Sequence, residues 1–343
     1  MIIAIRADGG KTIGMGHIMR TLTLAKELRV KGNDVFYICK AEDELINKAS
    51  KEESLFYVGI EKIEMEGFAV KFIRQNRIED ICDVNADLLI TDSYAVDTQY
   101  FDLTKTHFKI TAYIDDENKL DYFNVDFIIN QNAGAEAFNY NVNKNTKLLL
   151  GSPFVMLRDE FRNADEKKIN TKVKDIMFTI GGSDFNHITE ALIPAFNHMN
   201  YNFHIVVGAA FENTETLKDI AAKNIKLYFN ANMSEVMKKC DIAISACGTT
   251  LYELSSLGVP AIGIVIADNQ VRLADKLNEL GVIVSVGDYD KLNIAELEKT
   301  IMSLDKDISK RKRMSKRGNE LVDGRGVERI AASFMKSEKF SKI

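Results

Sequence analysis

The sequence predicts an α/β protein built from two doubly wound parallel-sheet domains that face each other across a cleft. Three observations carry that prediction. The chain has 343 residues, too many for one ordinary core at roughly 100–200 residues per domain. Its 46% hydrophobic and 28% charged residues are the composition of a soluble globular protein. Short apolar runs alternate with stretches of helical spacing, and the whole pattern starts a second time after residue 174.

In the first half the runs are Ile2–Ile5, Val35–Ile38, Leu55–Val58, Leu88–Thr91, Ile110–Ile114 and Phe127–Ile129. Each is four or five residues long or shorter and holds β-branched or aromatic residues. Continuous rather than alternating hydrophobicity suits strands buried on both faces. Between the first two, Ile18, Leu22 and Ala25 recur at i, i+4 and i+7, and Leu28 extends that side, so a long helix follows the first strand. Strand and helix in alternation give βαβ units. The second series is Ile176–Ile180, Phe203–Val207, Ile225–Phe229, Ile242–Ser245, Ala261–Ile266 and Val282–Val286. Between the series, residues 162–174 carry seven charges in 13 residues, which reads as a linker or exposed crossover. The predicted domains are 1–160, a linker 161–174, and 175–320, with a C-terminal helix in 321–343 that can cross back to the first domain.

Several function classes are disfavoured. No apolar run approaches about 18 residues, so no membrane-spanning helix is expected. The N-terminus has four apolar residues directly before Arg6 and Asp8, unlike a secretory leader. A formal charge of −5 argues against nucleic-acid binding, and the basic stretch KRKRMSKR after residue 309 reads as a solvated helix face or a local phosphate patch. Cys39, Cys82, Cys240 and Cys247 form no C-x-x-C pair and sit among apolar neighbours, the pattern of buried thiols in a reducing cytoplasm. The histidines lack metal-ligand spacing, so neither a metal nor another cofactor is expected.

Ligands of doubly wound sheets bind at the carboxyl ends of the strands. Four segments there can carry chemistry. The first is Gly9-Gly10-Lys11-Thr12-Ile13-Gly14-Met15-Gly16-His17, between the first strand and the first helix. Met19 stands where a Rossmann fingerprint needs glycine, and no G-K-[ST] closes a P-loop. Gly14 and Gly16 let the chain approach a ligand, and His17 is either a general base or a plain helix-start histidine. The second is Gly181-Gly182-Ser183-Asp184, either a phosphate or ribose loop or a glycine turn capped by Ser183 or Asp184. The third is Gly248-Thr249-Thr250, with Glu253 one turn further in. Its threonines can cap the helix or meet a phosphate, and Glu253 can accept from two ribose hydroxyls or simply complement the helix dipole. The fourth is Asp268-Asn269-Gln270, whose amides can orient sugar hydroxyls or cap a helix. Asp92-Ser93-Tyr94 and Asp115-Asp116 also follow strands, as sugar-binding groups or helix caps.

Residues 6–25, RADGG-x-x-IG-x-GH-x-x-R-x-L-x-LA, resemble the start of the UDP-sugar hydrolases of pseudaminic acid biosynthesis, which remove UDP from UDP-2,4-diacetamido-2,4,6-trideoxy-β-L-altropyranose. Similar proteins are labelled as spore-coat polysaccharide biosynthesis proteins. The resemblance covers nearly the whole chain. It continues at Asp92-Ser93-Tyr94, Asp115-Asp116-Glu117, Asn130-Gln131-Asn132-Ala133, the segment 154–161, Gly181–Asp184 and Asp268–Gln270. Gly248–Pro260 is also similar to the UDP-binding segment of the lipid II N-acetylglucosaminyltransferase. Ala246–Thr250 looks closer to that transferase pattern than to the Ser-Ser-Leu version of the hydrolases.

The resemblance implies the GT-B fold, His17 as catalytic base, and a UDP-sugar substrate. It implies UDP contacts from Gly181, Gly182, Ser183, Thr249, Thr250 and Glu253, and substrate contacts from Arg158, Asn269 and Gln270, with Tyr94 on the sugar side. The implied reaction is metal-independent inverting hydrolysis that frees the sugar for nonulosonic acid or surface polysaccharide synthesis. A UDP-sugar glycosyltransferase of the same fold is the rival class. The glycine loop carries only Ile13 and Met15 as apolar residues, so no lipid-acceptor patch is expected there. A non-enzymatic nucleotide-sugar binding protein is the third, which a titratable His17 disfavours.

Overall fold

The computed structural model of the chain describes residues 1–10, 13–42, 54–74, 78–162, 167–208, 210–212 and 214–336. The chain divides into two compact units: Met1–Arg158 together with Arg325–Ile343, and Asp159–Gly324.

The first unit holds a seven-stranded, wholly parallel sheet. Its central strand β1 (Ile2–Ala7) is flanked on one side by β2 (Asp34–Ala41) and β3 (Val70–Arg74). On the other side lie β4 (Leu88–Asp92), β5 (Ile110–Ile114), β6 (Phe127–Asn130) and β7 (Lys147–Leu150). Alternate residues of β1 enter two different cores. Ile3, Ile5 and Ala7 pack with Ile18, Leu22, Ala25 and Leu28 of helix α1 (Gly16–Val30). Ala4, on the opposite face, packs with Phe36, Ile38 and the aromatic pair Tyr100 and Phe101 of helix α3 (Thr98–His107). Burial on both faces is why these strands read as unbroken apolar runs.

Leu55–Val58 departs from the expected strand. Leu55 and Phe56 turn into helix α2 (Tyr57–Met65). Phe56, Ile60 and Ile63, spaced i, i+4 and i+7, are its buried side, so the apolar run is the start of a helical period. A Cβ at Gly59 would collide with the Gly9 carbonyl, so glycine lets α2 lie against the loop after β1.

The second unit has a six-stranded parallel sheet in the order β10-β9-β8-β11-β12-β13. The strands are β8 (Asp175–Thr179), β9 (Asn202–Val207), β10 (Ile225–Phe229), β11 (Ile242–Ala246), β12 (Ala261–Val265) and β13 (Ile283–Asp288). Helix α4 (Ile188–Asn197) follows β8, α7 (Thr250–Ser256) follows β11, and α8 (Val271–Glu279) follows β12. Helix α10 (Ile308–Leu321) carries the basic stretch. One of its arginines points inward: Arg311 is 1% exposed and donates to the carbonyls of Leu304, Asp305, Asn170 and Thr171. The last helix, α11 (Gly326–Met335), belongs to the first unit, where Phe334 meets Phe127 edge-on at 5.0 Å.

Residues 163–166 of the expected linker and 337–343 of the expected terminal helix lie outside the described residues. From 167 to 174 the chain is tied to the second unit, for instance by Asn170 Nδ2 donating to Asp241 Oδ1 at 2.7 Å. Cys39, Cys240 and Cys247 are buried free thiols, and burial pushes the last two up to about 12. Among the described residues no helix is long and apolar enough to cross a membrane.

Candidate active site

In the first unit the chain runs from β1 toward β2 in one direction and from β4 toward β5 in the other, so the carboxyl ends of β1 and β4 frame the switch point of the sheet. The glycine loop leaves β1 there. The Gly10 N–H donates to the Gly14 carbonyl at 3.1 Å, and Gly14 N–H returns a bond to the Gly10 carbonyl at 2.9 Å. Gly14 has φ +76°, a left-handed conformation that favours glycine. A Cβ at Gly10 would collide with the Leu55 carbonyl, whereas one at Gly14 or Gly16 would meet nothing within 4 Å. The first glycines are thus needed for packing. The two expected to meet a ligand face open space.

α1 then places His17 and Arg20 one turn apart, on the same side of the helix. Both are 7% exposed, and both reach Asp92, the fully buried last residue of β4. His17 Nδ1 lies 2.6 Å from Asp92 Oδ1. Arg20 donates through Nε to Asp92 Oδ2 and through Nη2 to Asp92 Oδ1, each at 2.6 Å. The other edge of the same guanidinium donates to Asp116, from Nη1 to Oδ1 at 2.8 Å and from Nη2 to Oδ2 at 2.9 Å. Asp116 also accepts from the Tyr94 hydroxyl at 2.7 Å and from Asn132 Nδ2 at 3.1 Å. The Tyr94 ring meets the His17 ring edge-on, with centroids 4.7 Å apart.

The charge states follow. Burial opposes the Asp92 charge, but the Arg20 guanidinium and His17 outweigh it and hold the carboxyl below its ordinary range. Against the same burial, Arg20 and the Tyr94 hydroxyl bring Asp116 down to about 2. An ionised Asp92 only accepts hydrogen bonds, so His17 Nδ1 carries the proton of that pair. In the neutral imidazole, Nε2 then bears the lone pair, and no hydrogen bond engages it among the described residues.

Asp115 and Asp116, both expected as cleft carboxylates, separate. Asp116 joins the site, whereas Asp115 Oδ2 accepts from Tyr140 OH at 2.6 Å and from Asn118 N–H at 2.7 Å. Burial pushes the Asp115 carboxyl up, and its role is to fasten the loop after β5. Ser93 Oγ accepts from Ala95 N–H, a local loop bond. Arg158 is half-buried at the end of the first unit's main stretch.

In the second unit the segments singled out from the sequence all lie at the carboxyl ends of β8, β11 and β12. Gly181 has φ +108°, and the Gly182 carbonyl accepts from Ala210 N–H at 2.9 Å. A Cβ at Gly208 would collide with that carbonyl, so glycine allows the loops after β8 and β9 to touch. Asp184, three residues before the N-cap His187, closes the start of α4 with its side chain. Its two oxygens accept from the N–H groups of Ile188 and Thr189, each at 2.8 Å, and Ser183 takes no part. Thr249 is exposed just before α7 and its side chain caps no helix amide. Thr250 and Glu253 are half-buried in the first turn. Gln270 Oε1 accepts from Ile266 N–H at 3.1 Å, while Asn269 is exposed.

The structure brings together His17 and Tyr94, both singled out from the sequence, within a frame of Arg20, Asp92 and Asp116 that sequence reasoning did not assemble. Arg20 stands in the quoted first motif, three residues after His17, and that helical spacing was the available signal. The partner role of Asp92 had none, since 75 residues separate it from His17. Among the described residues no group of three or more His, Cys, Asp or Glu is arranged to hold a metal ion.

Residues 132–329 match the glycosyltransferase family 28 C-terminal domain. An uncharacterized protein of Methanocaldococcus jannaschii is 27% identical over 290 residues, 79% of this chain and 57% of that protein. The spore coat polysaccharide biosynthesis protein SpsG of Bacillus subtilis is 25% identical over 97% of both chains. A Helicobacter pylori protein named pseudaminic acid cytidylyltransferase and UDP-2,4-diacetamido-2,4,6-trideoxy-β-L-altropyranose hydrolase is 30% identical over 65% of this chain. This chain spans 42% of that relative's length, so it matches about half of two of these proteins. Among solved structures, MurG of Acinetobacter baumannii has a TM-score of 0.69 at 13% identity, covering 98% of this chain and 99% of the other. That likeness gives the fold, two parallel-sheet units of the GT-B type.

Proposed function

Since the chain belongs to the glycosyltransferase family 28 C-terminal-domain family, we propose that it acts on a UDP-sugar and hydrolyses a UDP-linked diacetamido-trideoxy sugar with inversion. The observation that carries the reading is the 2.6 Å pair between His17 Nδ1 and an ionised Asp92. It fixes the tautomer whose Nε2 takes a proton. In the proposed step a water oxygen bonds to the anomeric carbon while its proton passes to His17 Nε2. The bond from that carbon to the phosphate oxygen breaks, and UDP leaves with the electron pair. Base catalysis of this kind is worth about 10²–10⁴-fold. The negative charge on Asp92 favours the imidazolium that forms, as a buried carboxylate does in hydrolytic triads.

The second unit is proposed to hold UDP. Gly181, Gly182 and Ser183 offer N–H groups and a hydroxyl to the diphosphate, with the hydroxyls of Thr249 and Thr250. Glu253 accepts from the ribose. Arg158, Asn269 and Gln270 contact the substrate near the diphosphate and sugar. The freed sugar would enter nonulosonic acid or surface polysaccharide synthesis.

The test is phosphorus NMR of the purified protein with UDP-linked bacterial amino sugars and no acceptor. Release of UDP, with proton NMR reporting the opposite anomer first, is the expected result. Absence of release until an alcohol acceptor is added would sink the hydrolase reading. One observation favours that second, glycosyltransferase reading. Gly10 lies against the Leu55 carbonyl, which brings exposed Leu55 and Val58 to the loop bearing exposed Ile13. The apolar surface beside the site is therefore larger than the loop sequence alone suggests.

A further inference from the structure

We propose that Arg20 is a positioning residue of the reaction: its guanidinium holds His17 in the base-competent tautomer and ties the base to the polar wall formed by Tyr94 and Asn132. This rests on the reading of His17 as the base. The molecule supplies its own contrast. Arg311, also buried, spends its donors on four backbone carbonyls and acts as a structural fastening. Among the described residues Arg20 makes no backbone hydrogen bond of that kind. It gives two parallel bonds to Asp92 and two to Asp116, and its Nη2 stands 3.3 Å from His17 Nδ1.

The arrangement solves an electrostatic problem. Asp92 and Asp116 are reached by the same Nη2, so they are close neighbours in a buried setting. Two carboxylates so placed do not both stay ionised without a cation between them. With Arg20 present the cluster of Asp92, Asp116, Arg20 and neutral His17 carries one net negative charge, and it becomes neutral when His17 takes the proton. The Tyr94 hydroxyl donates into the same cluster without changing its charge. Remove the guanidinium and the cluster takes up a proton, either on a carboxyl or on the His17 imidazole, which then has no lone pair to offer. If Asp92 gains it, the carboxyl can donate to Nδ1, the histidine proton moves to Nε2, and the lone pair that would receive the proton of water is lost. Asp116, freed, no longer fixes Tyr94 and Asn132.

The experiment pairs turnover with a readout that does not need turnover. In protein labelled with nitrogen-15 histidine, the imidazole nitrogens of His17 in alkaline buffer should show a proton on Nδ1. Arg20→Ala should shift that proton to Nε2 or mix the tautomers. Its kcat should fall by about 100-fold with UDP affinity unchanged, and millimolar guanidinium should restore part of kcat. Arg20→Lys keeps the charge but loses the fork, and it serves if the alanine variant does not fold. It should retain the Nδ1 proton more often than alanine does, at intermediate kcat. An unchanged tautomer in both variants overturns the role of Arg20. The spectrum decides this whether or not the wild-type protein releases UDP, so a failed hydrolase reading is seen separately.

Discussion

The two sets of strand-end loops are built in opposite ways. At the ends of β1, β4 and β5 the first unit presents charged side chains, Asp92, Arg20 and Asp116, buried or largely so and joined by bonds of 2.6–2.9 Å. At the ends of β8, β11 and β12 the second unit presents glycines, hydroxyls and amides that are exposed or half-buried. Where it uses a carboxylate firmly, as at Asp184, it uses it to close the start of a helix. A site whose charges are already oriented suits the step in which charge moves. Loops of glycine and hydroxyl suit a ligand that brings its own charge and needs donors. On the proposed function the first region reacts and the second binds, and substitutions in the two regions should therefore behave differently.

The largest effect is expected at His17. His17→Ala should lower kcat by about 10²–10⁴-fold and leave UDP affinity nearly unchanged. Near-wild-type turnover in a UDP-release assay would end its assignment as base. Asp92→Asn should come next, at about 10²–10³-fold in kcat. An asparagine amide can donate to Nδ1 and so stabilise the tautomer with its proton on Nε2. KM should move little. A KM that rises with kcat intact would instead make Asp92 part of the substrate wall.

Asp116 tests the frame through stability. Its folded value of about 2 lies below the ordinary value of 3.8, so its charge contributes stability above the unfolded value, and the contribution is lost as pH falls through the folded one. The difference corresponds to about 2–3 kcal/mol. Asp116→Asn should accordingly be less stable than the wild type by roughly that amount near neutral pH, with the gap closing toward about pH 2. Urea denaturation across pH measures it, and a gap that stays constant into acid would show that the ion pair is not its source.

Legibility followed the length of the apolar run more than burial. Strands enclosed on both faces, such as Ile110–Ile114, were read at their observed bounds. The edge strands β3 and β7 were missed, since Lys71 interrupts the first and the second holds only three apolar residues after Lys147, whereas the half-exposed edge strand β10 was read at its observed bounds. Leu55–Val58 was misread because four residues cannot separate a strand from the first turn of a helix. In the candidate site, His17 was singled out by its place after a glycine turn. Its pairing with Asp92 depends on two neighbouring strands ending side by side, as Ala7 and Asp92 do in the sheet register, and no local pattern records that. Asp115 and Asp116 looked equivalent, yet consecutive residues at a strand end point to opposite sides, and only one reaches Arg20.

The smallest expected effect lies in the second unit and bears most directly on the comparison. Glu253 is half-buried in the first turn of α7, three residues after Thr250. If the second unit holds UDP, its carboxylate accepts from both ribose hydroxyls, and charge-assisted bonds of that kind contribute about 1.5–3 kcal/mol each. Glu253→Gln keeps the shape and removes the charge, so UDP affinity should fall about 10-fold. The ribose lies away from the bond that breaks, so the same contacts exist in the ground and transition states. KM should therefore rise more than kcat falls, the reverse of the pattern expected at His17 and Asp92. Calorimetric titration with UDP gives the affinity, and steady-state rates give the split. An unchanged affinity would return Glu253 to a structural role in the first turn of α7. A loss of kcat as large as that of Asp92→Asn would erase the division between a unit that reacts and a unit that binds.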